Sequence, residues 1–88
     1  GISDLQPNTN SFVIYPNPTI GNSVTIHAPA GWTRAEISSV SGAFIHESIN
    51  KKAIAEGKLD ISGLQPGVYS VRITFADGQQ SMTKLLKR

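Results

Sequence analysis

The amino-acid sequence predicts an all-β protein, an Ig-like antiparallel β-sandwich of about seven strands. Short groups of alternating apolar and polar residues run along most of the chain. Turn-forming residues recur roughly every ten positions, a spacing typical of sandwiches built from short strands. No stretch shows the apolar periodicity of an amphipathic helix.

Composition indicates one small domain and excludes several classes of protein. The chain has 88 residues and no cysteine, so it has a thin core and no disulfide or thiol chemistry. Its formal net charge of +2 is too small to indicate nucleic-acid binding. No apolar run is long enough to span a membrane, and residues 1–11 lack the apolar segment of a signal peptide. Because the chain begins without Met in a loop-like segment, we expect a domain of a longer protein.

Four strands are predicted in the first half of the chain, after a polar linker over residues 1–11. The first strand, Phe12–Tyr15, ends at Pro16, because proline lacks the N–H group that a central strand needs. Residues 23–28, 34–40 and 43–49 each alternate between apolar and polar side chains, and a Ser41-Gly42 turn joins the last two. The inward faces are predicted to carry Val24, Ile26, Ala28, Ala35, Ile37, Ile45 and Ile49.

Three strands are predicted in the second half. A short strand over residues 59–61 is followed by the motif Leu64-Gln65-Pro66-Gly67, where we expect a tight turn with Pro66 at its second position and Gly67 at positive φ. Residues 67–75 then alternate regularly, with Tyr69 and the other odd-numbered side chains facing inward. Asp77-Gly78 predicts a type I′ hairpin turn, and residues 80–86 form the last strand.

No set of residues predicts catalysis, a cofactor or a metal site. His27 and His46 are predicted to face solvent, and two separated histidines without cysteine do not form a zinc site. The serines and glycines lack the patterns of a nucleophile elbow or a phosphate loop. We therefore expect no enzyme activity and no cofactor. Trp32 has two interpretations, a cap on one end of the core or a surface contact residue, and the first is favoured.

Several short motifs follow one another in a defined order. They are Tyr15-Pro16-Asn17-Pro18, the Ser41-Gly42 hairpin, Leu64-Gln65-Pro66-Gly67-Val68-Tyr69-Ser70-Val71, and Lys84-Leu85-Leu86-Lys87-Arg88. In this order they resemble the C-terminal sorting domain of the type IX secretion system, with which Bacteroidetes-type Gram-negative bacteria carry cargo across the outer membrane. The resemblance covers residues 12–88. One departure is Ser38-Ser39-Val40 before Gly42, where the family often has Asp or Asn to cap the turn.

This resemblance implies a linker from a preceding cargo domain, residues 1–11, and a sorting domain, residues 12–88. It implies that the outer-membrane translocation machinery is the partner, and that in many members a cell-surface sortase removes the domain while the cargo is joined to lipopolysaccharide. The protein would pass through the periplasm and finish at the cell surface or outside. The implied signature residues are Tyr15, Pro16, Asn17, Pro18, Gly42, Leu64, Gly67, Tyr69, Val71, Lys84, Leu85, Leu86, Lys87 and Arg88.

We expect the segment Lys84–Arg88 to be the point that the machinery recognises, since it has three cations within five residues. We also expect the last strand to leave an open edge for β-augmentation, and any cleavage to fall in the linker. The alternative is an Ig- or fibronectin-like spacer or adhesion module, using Trp32 and Phe44 as surface aromatics. A domain that completes an enzyme's active site is a third possibility. Exposed edges and a proline-rich first strand also predict a strand-swapped dimer in isolation, with no nucleic-acid partner.

Overall fold

Two antiparallel sheets make up residues 11–88, the part of the chain that the computed structural model describes; the linker predicted over residues 1–11 lies outside it except for Ser11. The strands are β1 (Val13–Tyr15), β2 (Ser23–His27), β3 (Trp32–Ser39), β4 (Phe44–Ile49), β5 (Glu56–Asp60), β6 (Gly67–Phe75) and β7 (Gln80–Lys87). One sheet has the order β1-β2-β5 and the other β4-β3-β6-β7. The predicted seven-stranded, all-β architecture is therefore confirmed. Within residues 11–88, no helix is long and apolar enough to cross a membrane.

The core lies between the two sheets and is built from alternate residues of the strands. Fully buried side chains come from both sheets: Val24, Ile26 and Leu59 from the first, and Ala35, Ile37, Val71, Ile73, Phe75 and Leu85 from the second. Phe12 packs edge-on against Phe75, with ring centroids 6.1 Å apart. Full burial of a phenylalanine side chain such as that of Phe75 stabilises the fold by about 1.5–3 kcal/mol. The alternation predicted for β2, β3 and β6 is confirmed.

Trp32 belongs to the core and is not a surface contact residue. Its side chain is 1% exposed, and its indole Nε1–H donates to the Ile26 carbonyl at 3.3 Å. The ring packs against the backbone of Gly57, where a Cβ atom would lie only 2.5 Å from Cζ2 of the indole. The glycine therefore provides the space that the tryptophan occupies.

The inward face predicted for β4 is wrong. Ile45 and Ile49 are 40% and 50% exposed, whereas His46 lies opposite the buried Ile37 and so takes the inward side of the strand. The cause is a register shift between Ile37 and Ser38, which gives β4 one extra residue and reverses its phase. Because β4 is the edge of its sheet, His46 stays exposed despite this orientation.

Both hairpin turns have the same form. The Gly42 N–H donates to the Ser39 carbonyl, and the Gly78 N–H donates to the Phe75 carbonyl, each at 2.9 Å. The two glycines have φ values of 98° and 92°, but Asp77 does not have positive φ, so the predicted type I′ turn is wrong. The geometry fits a type I turn followed by a left-handed glycine. At the first hairpin the Ser39 hydroxyl accepts from the Ala43 N–H at 3.1 Å, which caps the turn without Asp or Asn.

The tight turn predicted around Pro66 and Gly67 is found earlier in the chain, at residues 61–64. The Leu64 N–H donates to the Ile61 carbonyl at 3.1 Å, and the Asp60 carboxylate accepts from the Ser62 N–H at 2.9 Å. Hydrogen bonds from the Ser62 backbone and side chain hold the pKa of Asp60 below its usual value. Pro66 forms a bend that leads into β6, and Gly67 has a positive φ of 157° as the first residue of that strand and not within the predicted turn.

Candidate recognition surface

The predicted signature residues other than Val71 converge on one end of the sandwich. Ser39 lies opposite Tyr69, and Tyr69 lies opposite Leu85, so the β3–β4 hairpin, the start of β6 and the end of β7 share this end of their sheet. The loop after β1 reaches the same end, because Thr19 pairs with Lys87. We call this region the signature end; it comprises residues 15–21, 39–43, 61–69 and 84–88.

Asn17 joins the first signature motif to the last. Its side-chain Nδ2 donates to the Lys84 carbonyl, and its Oδ1 accepts from the Leu86 N–H, both at 3.0 Å. The side-chain amide thereby pairs with β7 as the backbone of a neighbouring strand would. Pro16 and Pro18, each preceded by a cis peptide bond, stand on either side of it.

Thr19 extends this cover along β7. Its N–H donates to the Leu86 carbonyl at 2.9 Å, and its carbonyl accepts from the Arg88 N–H at 2.8 Å. We call Asn17–Thr19 the edge cover. The edge cover bonds to the Lys84 carbonyl, to both backbone groups of Leu86 and to the Arg88 N–H, so the prediction that the last strand is open to a partner is wrong for the part beyond Lys84.

The two lysines of the terminal motif have different environments. Lys84 is exposed on the outer face of the four-stranded sheet. Lys87 is only 9% exposed, and its Nζ donates to the Ile61 carbonyl at 3.1 Å, beside the other sheet. A buried ammonium group needs such a partner. The predicted cluster of three exposed cations is therefore reduced to Lys84 and Arg88.

A further group of signature residues supports this end from inside. The Tyr69 hydroxyl donates to the Gln65 carbonyl four residues earlier, which fixes the bend before β6 in the manner of a tyrosine corner. Tyr69 and Leu64 are partly buried against the core, and Val71 and Leu85 lie fully within it. In contrast, Pro16, Asn17, Pro18, Gly42, Lys84 and Arg88 are exposed, and Gly67 and Leu86 are intermediate.

Tyr15 takes part in a polar cluster on the outer face of the three-stranded sheet. Its hydroxyl donates to a Glu56 carboxylate oxygen at 2.9 Å, and this hydrogen bond raises the pKa of Tyr15. Nδ1 of His27 lies 3.5 Å from the same oxygen. This cluster links β1 to β5 across β2. Over residues 11–88, no group of three or more His, Cys, Asp and Glu side chains is arranged to hold a metal ion.

Sequence reasoning missed Thr19, which is 1% exposed although it follows a proline in a polar loop. Its hydroxyl accepts from the Gly21 N–H at 3.1 Å, and its backbone completes the edge cover. The two-residue spacing between Asn17 and Thr19 is the one signal that could have indicated a strand-like segment here.

Residues 13–88 match the family described as the secretion system C-terminal sorting domain. No curated protein matches the chain. The crystal structure of CopC from Methylosinus trichosporium OB3b is similar, with a TM-score of 0.54 and 17% identity, over 88% of this chain and 91% of that one. At that identity the likeness concerns the fold alone. Because the family match spans nearly the whole described domain, this chain belongs to the C-terminal sorting domains of the type IX secretion system.

Proposed function

We propose that the signature end is the surface by which this sorting signal is recognised by the outer-membrane translocation machinery. The observation that supports this is the contact between Asn17 and β7, which joins two signature motifs far apart in the sequence. Motifs that are far apart in the sequence but in contact in the structure form one surface only when the domain is folded. Such a surface is suited to a partner that recognises the folded domain. A rigid surface of this kind loses little conformational entropy when it binds.

The chemistry of the signature end suggests the kind of surface that would bind it. Lys84 and Arg88 supply positive charge. Ile20, Val40 and Val68 are exposed apolar side chains in the loop after the edge cover, in the β3–β4 hairpin and at the start of β6. Exposed apolar residues beside charged ones are typical of a protein interface. The expected partner therefore has an apolar patch with acidic residues around it.

We further propose that a cell-surface sortase separates this domain from its cargo after transit through the periplasm, and that the cargo is joined to lipopolysaccharide. Cleavage would fall before β1, because β1 pairs with β2 and Phe12 packs on Phe75, so a cut within these residues would disrupt the core. Amino-terminal sequencing of the released fragment tests this. A fragment that begins beyond Ile14 would contradict the proposed position.

The test of recognition is export of a reporter fused to residues 1–88 in a host with the type IX system. Lys84→Glu with Arg88→Glu reverses two charges at the signature end. Lys51→Glu with Lys52→Glu makes the same change in charge in the β4–β5 connection, at the opposite end of the sandwich. We expect the wild-type and Lys51/Lys52 reporters to be exported, and export of the Lys84/Arg88 reporter to fall tenfold or more.

Each other outcome has a defined meaning. Equal export of the two double variants, both shown to be folded by circular dichroism, would exclude charge recognition at the signature end. Failure of the wild-type fusion would favour the spacer or adhesion module. Of the two aromatic residues expected to serve such a module, Trp32 is buried and only Phe44, at 58%, is exposed, so we prefer the sorting function.

A further inference from the structure

The hydrogen-bonding edge of β7 is covered over only part of its length. The Lys84 carbonyl and both backbone groups of Leu86 point away from β6, since they bond to the edge cover. Hydrogen-bonding direction alternates along an antiparallel strand, so the N–H and C=O groups of Met82 and Gln80 point the same way. Within residues 11–88 no strand lies beyond β7 at these positions. We call residues 80–84 the open edge.

The other sheet edges are less suited to pairing with a further strand. β1 has three residues, and the pairing of β4 contains the register shift. On β5 the Lys58 carbonyl accepts from the Ser48 hydroxyl at 3.1 Å. β7, in contrast, has eight residues and pairs with β6 without interruption. A long, regular edge is the form that accepts another strand.

The open edge carries one basic side chain, Lys84, and one apolar side chain, Met82, and its other side chains are polar and uncharged. Neither β6 nor β7 contains an acidic residue, and Arg72 and Lys84 are both exposed. Met82, which is 56% exposed, lies opposite Arg72 and lines a groove of about 290 Å³ on the outer face together with Phe44. The acidic side chain in this groove is Glu36 of β3, which lies opposite Arg72, so within residues 11–88 Lys84 is the cation next to the open edge that has no acidic residue opposite it. A strand added to β7 would place alternate side chains next to Met82 and Lys84.

We infer that the open edge is a β-augmentation site for an extended segment of the translocation machinery, about five residues long, with acidic and apolar side chains on its outer face. Backbone hydrogen bonds to Met82 and neighbouring groups would supply affinity, and Lys84 would select the acidic side chains. The edge cover limits the length, because it already occupies the strand beyond Lys84. This inference rests on the proposed sorting function and adds the mode of binding.

Met82→Pro in the exported reporter tests the inference. Proline removes the outward N–H of residue 82 but no hydrogen bond to β6, and edge strands tolerate proline where the N–H faces solvent. Met82→Thr is the matched control, since it also removes the methionine side chain but keeps the N–H. We expect Met82→Pro to lower export tenfold or more and Met82→Thr, which loses side-chain contact but no backbone hydrogen bond, to lower export much less, with similar urea unfolding of the two variants.

Folded Met82→Pro that is exported normally would overturn the inference, and so would equal losses in both variants, which would assign the effect to the side chain. If Met82→Pro does not fold, Gln80→Pro removes the next outward N–H and is judged by the same criteria. Export of the wild-type reporter tests the sorting function, independently of the open edge. Normal export of wild type and Met82→Pro together would leave the sorting function intact and reject the open edge alone.

Discussion

Replacing Asn17 with alanine should weaken the attachment of the edge cover to β7. The change removes two side-chain hydrogen bonds, one donated to the Lys84 carbonyl and one accepted from the Leu86 N–H. Each such bond contributes about 0.5–1.5 kcal/mol net, so we expect the free energy of unfolding to fall by about 1–3 kcal/mol. For a domain of this size the Tm should drop by roughly 4–8 °C for each kcal/mol. Urea unfolding measures the loss, and amide hydrogen exchange of Leu86 locates it.

Asn50→Ala is the matched control. The Asn50 side chain donates one hydrogen bond, to the Ile54 carbonyl at 2.9 Å, in the β4–β5 connection. This variant should lose about half as much stability and leave exchange of the Leu86 amide unchanged. If Asn17→Ala costs less than about 0.5 kcal/mol and Leu86 stays protected, then Asn17 does not hold the edge cover and our reasoning is wrong.

Two further predictions concern the core and the loop before β6. Gly57→Ala should cost about 1–3 kcal/mol, because its Cβ would lie 2.5 Å from the buried Trp32 ring, whereas Gly63→Ala, with no heavy atom within 4 Å, should not. Equal unfolding midpoints and unchanged tryptophan fluorescence for both variants would argue against this contact. The hydrogen bonds from Ser62 lower the pKa of Asp60 in the folded state, so their contribution to stability is present above the unfolded pKa of about 3.9 and is lost as pH falls through the folded value. Asp60→Asn should therefore lose less stability than the wild type between pH 5 and pH 3, measured by urea unfolding; identical pH profiles would refute this.

Strand positions were largely predictable because alternation of apolar and polar residues is a local property. β6 was predicted at Gly67–Phe75 and has those bounds, and the inward residues Val71 and Ile73 are buried. β4 was placed correctly along the chain but with the wrong face inward, since apolar Ile45 and Ile49 suggested a core face. Only the pairing with β3, with its extra residue, decides which side faces the core.

The residues of the candidate site could be predicted from the sequence motifs, but the contacts between these residues could not. Sequence resemblance selected both Asn17 and Lys87, but gave no indication that one caps β7 or that the other reaches the opposite sheet. Those contacts span 69 and 26 positions along the chain. No local pattern encodes them, because they arise only when the two sheets have packed.

The sequence by itself determined the all-β class, the order of the strands along the chain, most of the core and membership of the sorting-domain family. The fold class, the strand order and the core follow from residue periodicity and turn chemistry, which act over a few neighbouring positions. Family membership follows from the motifs and from their order along the whole chain. Tertiary structure alone decided the phase of β4, the burial of Lys87, and the partition of the β7 edge into a covered and an open part. Each of these depends on which backbone groups and side chains meet from distant segments, and hydrogen bonds and burial between such segments exist only in the folded sandwich.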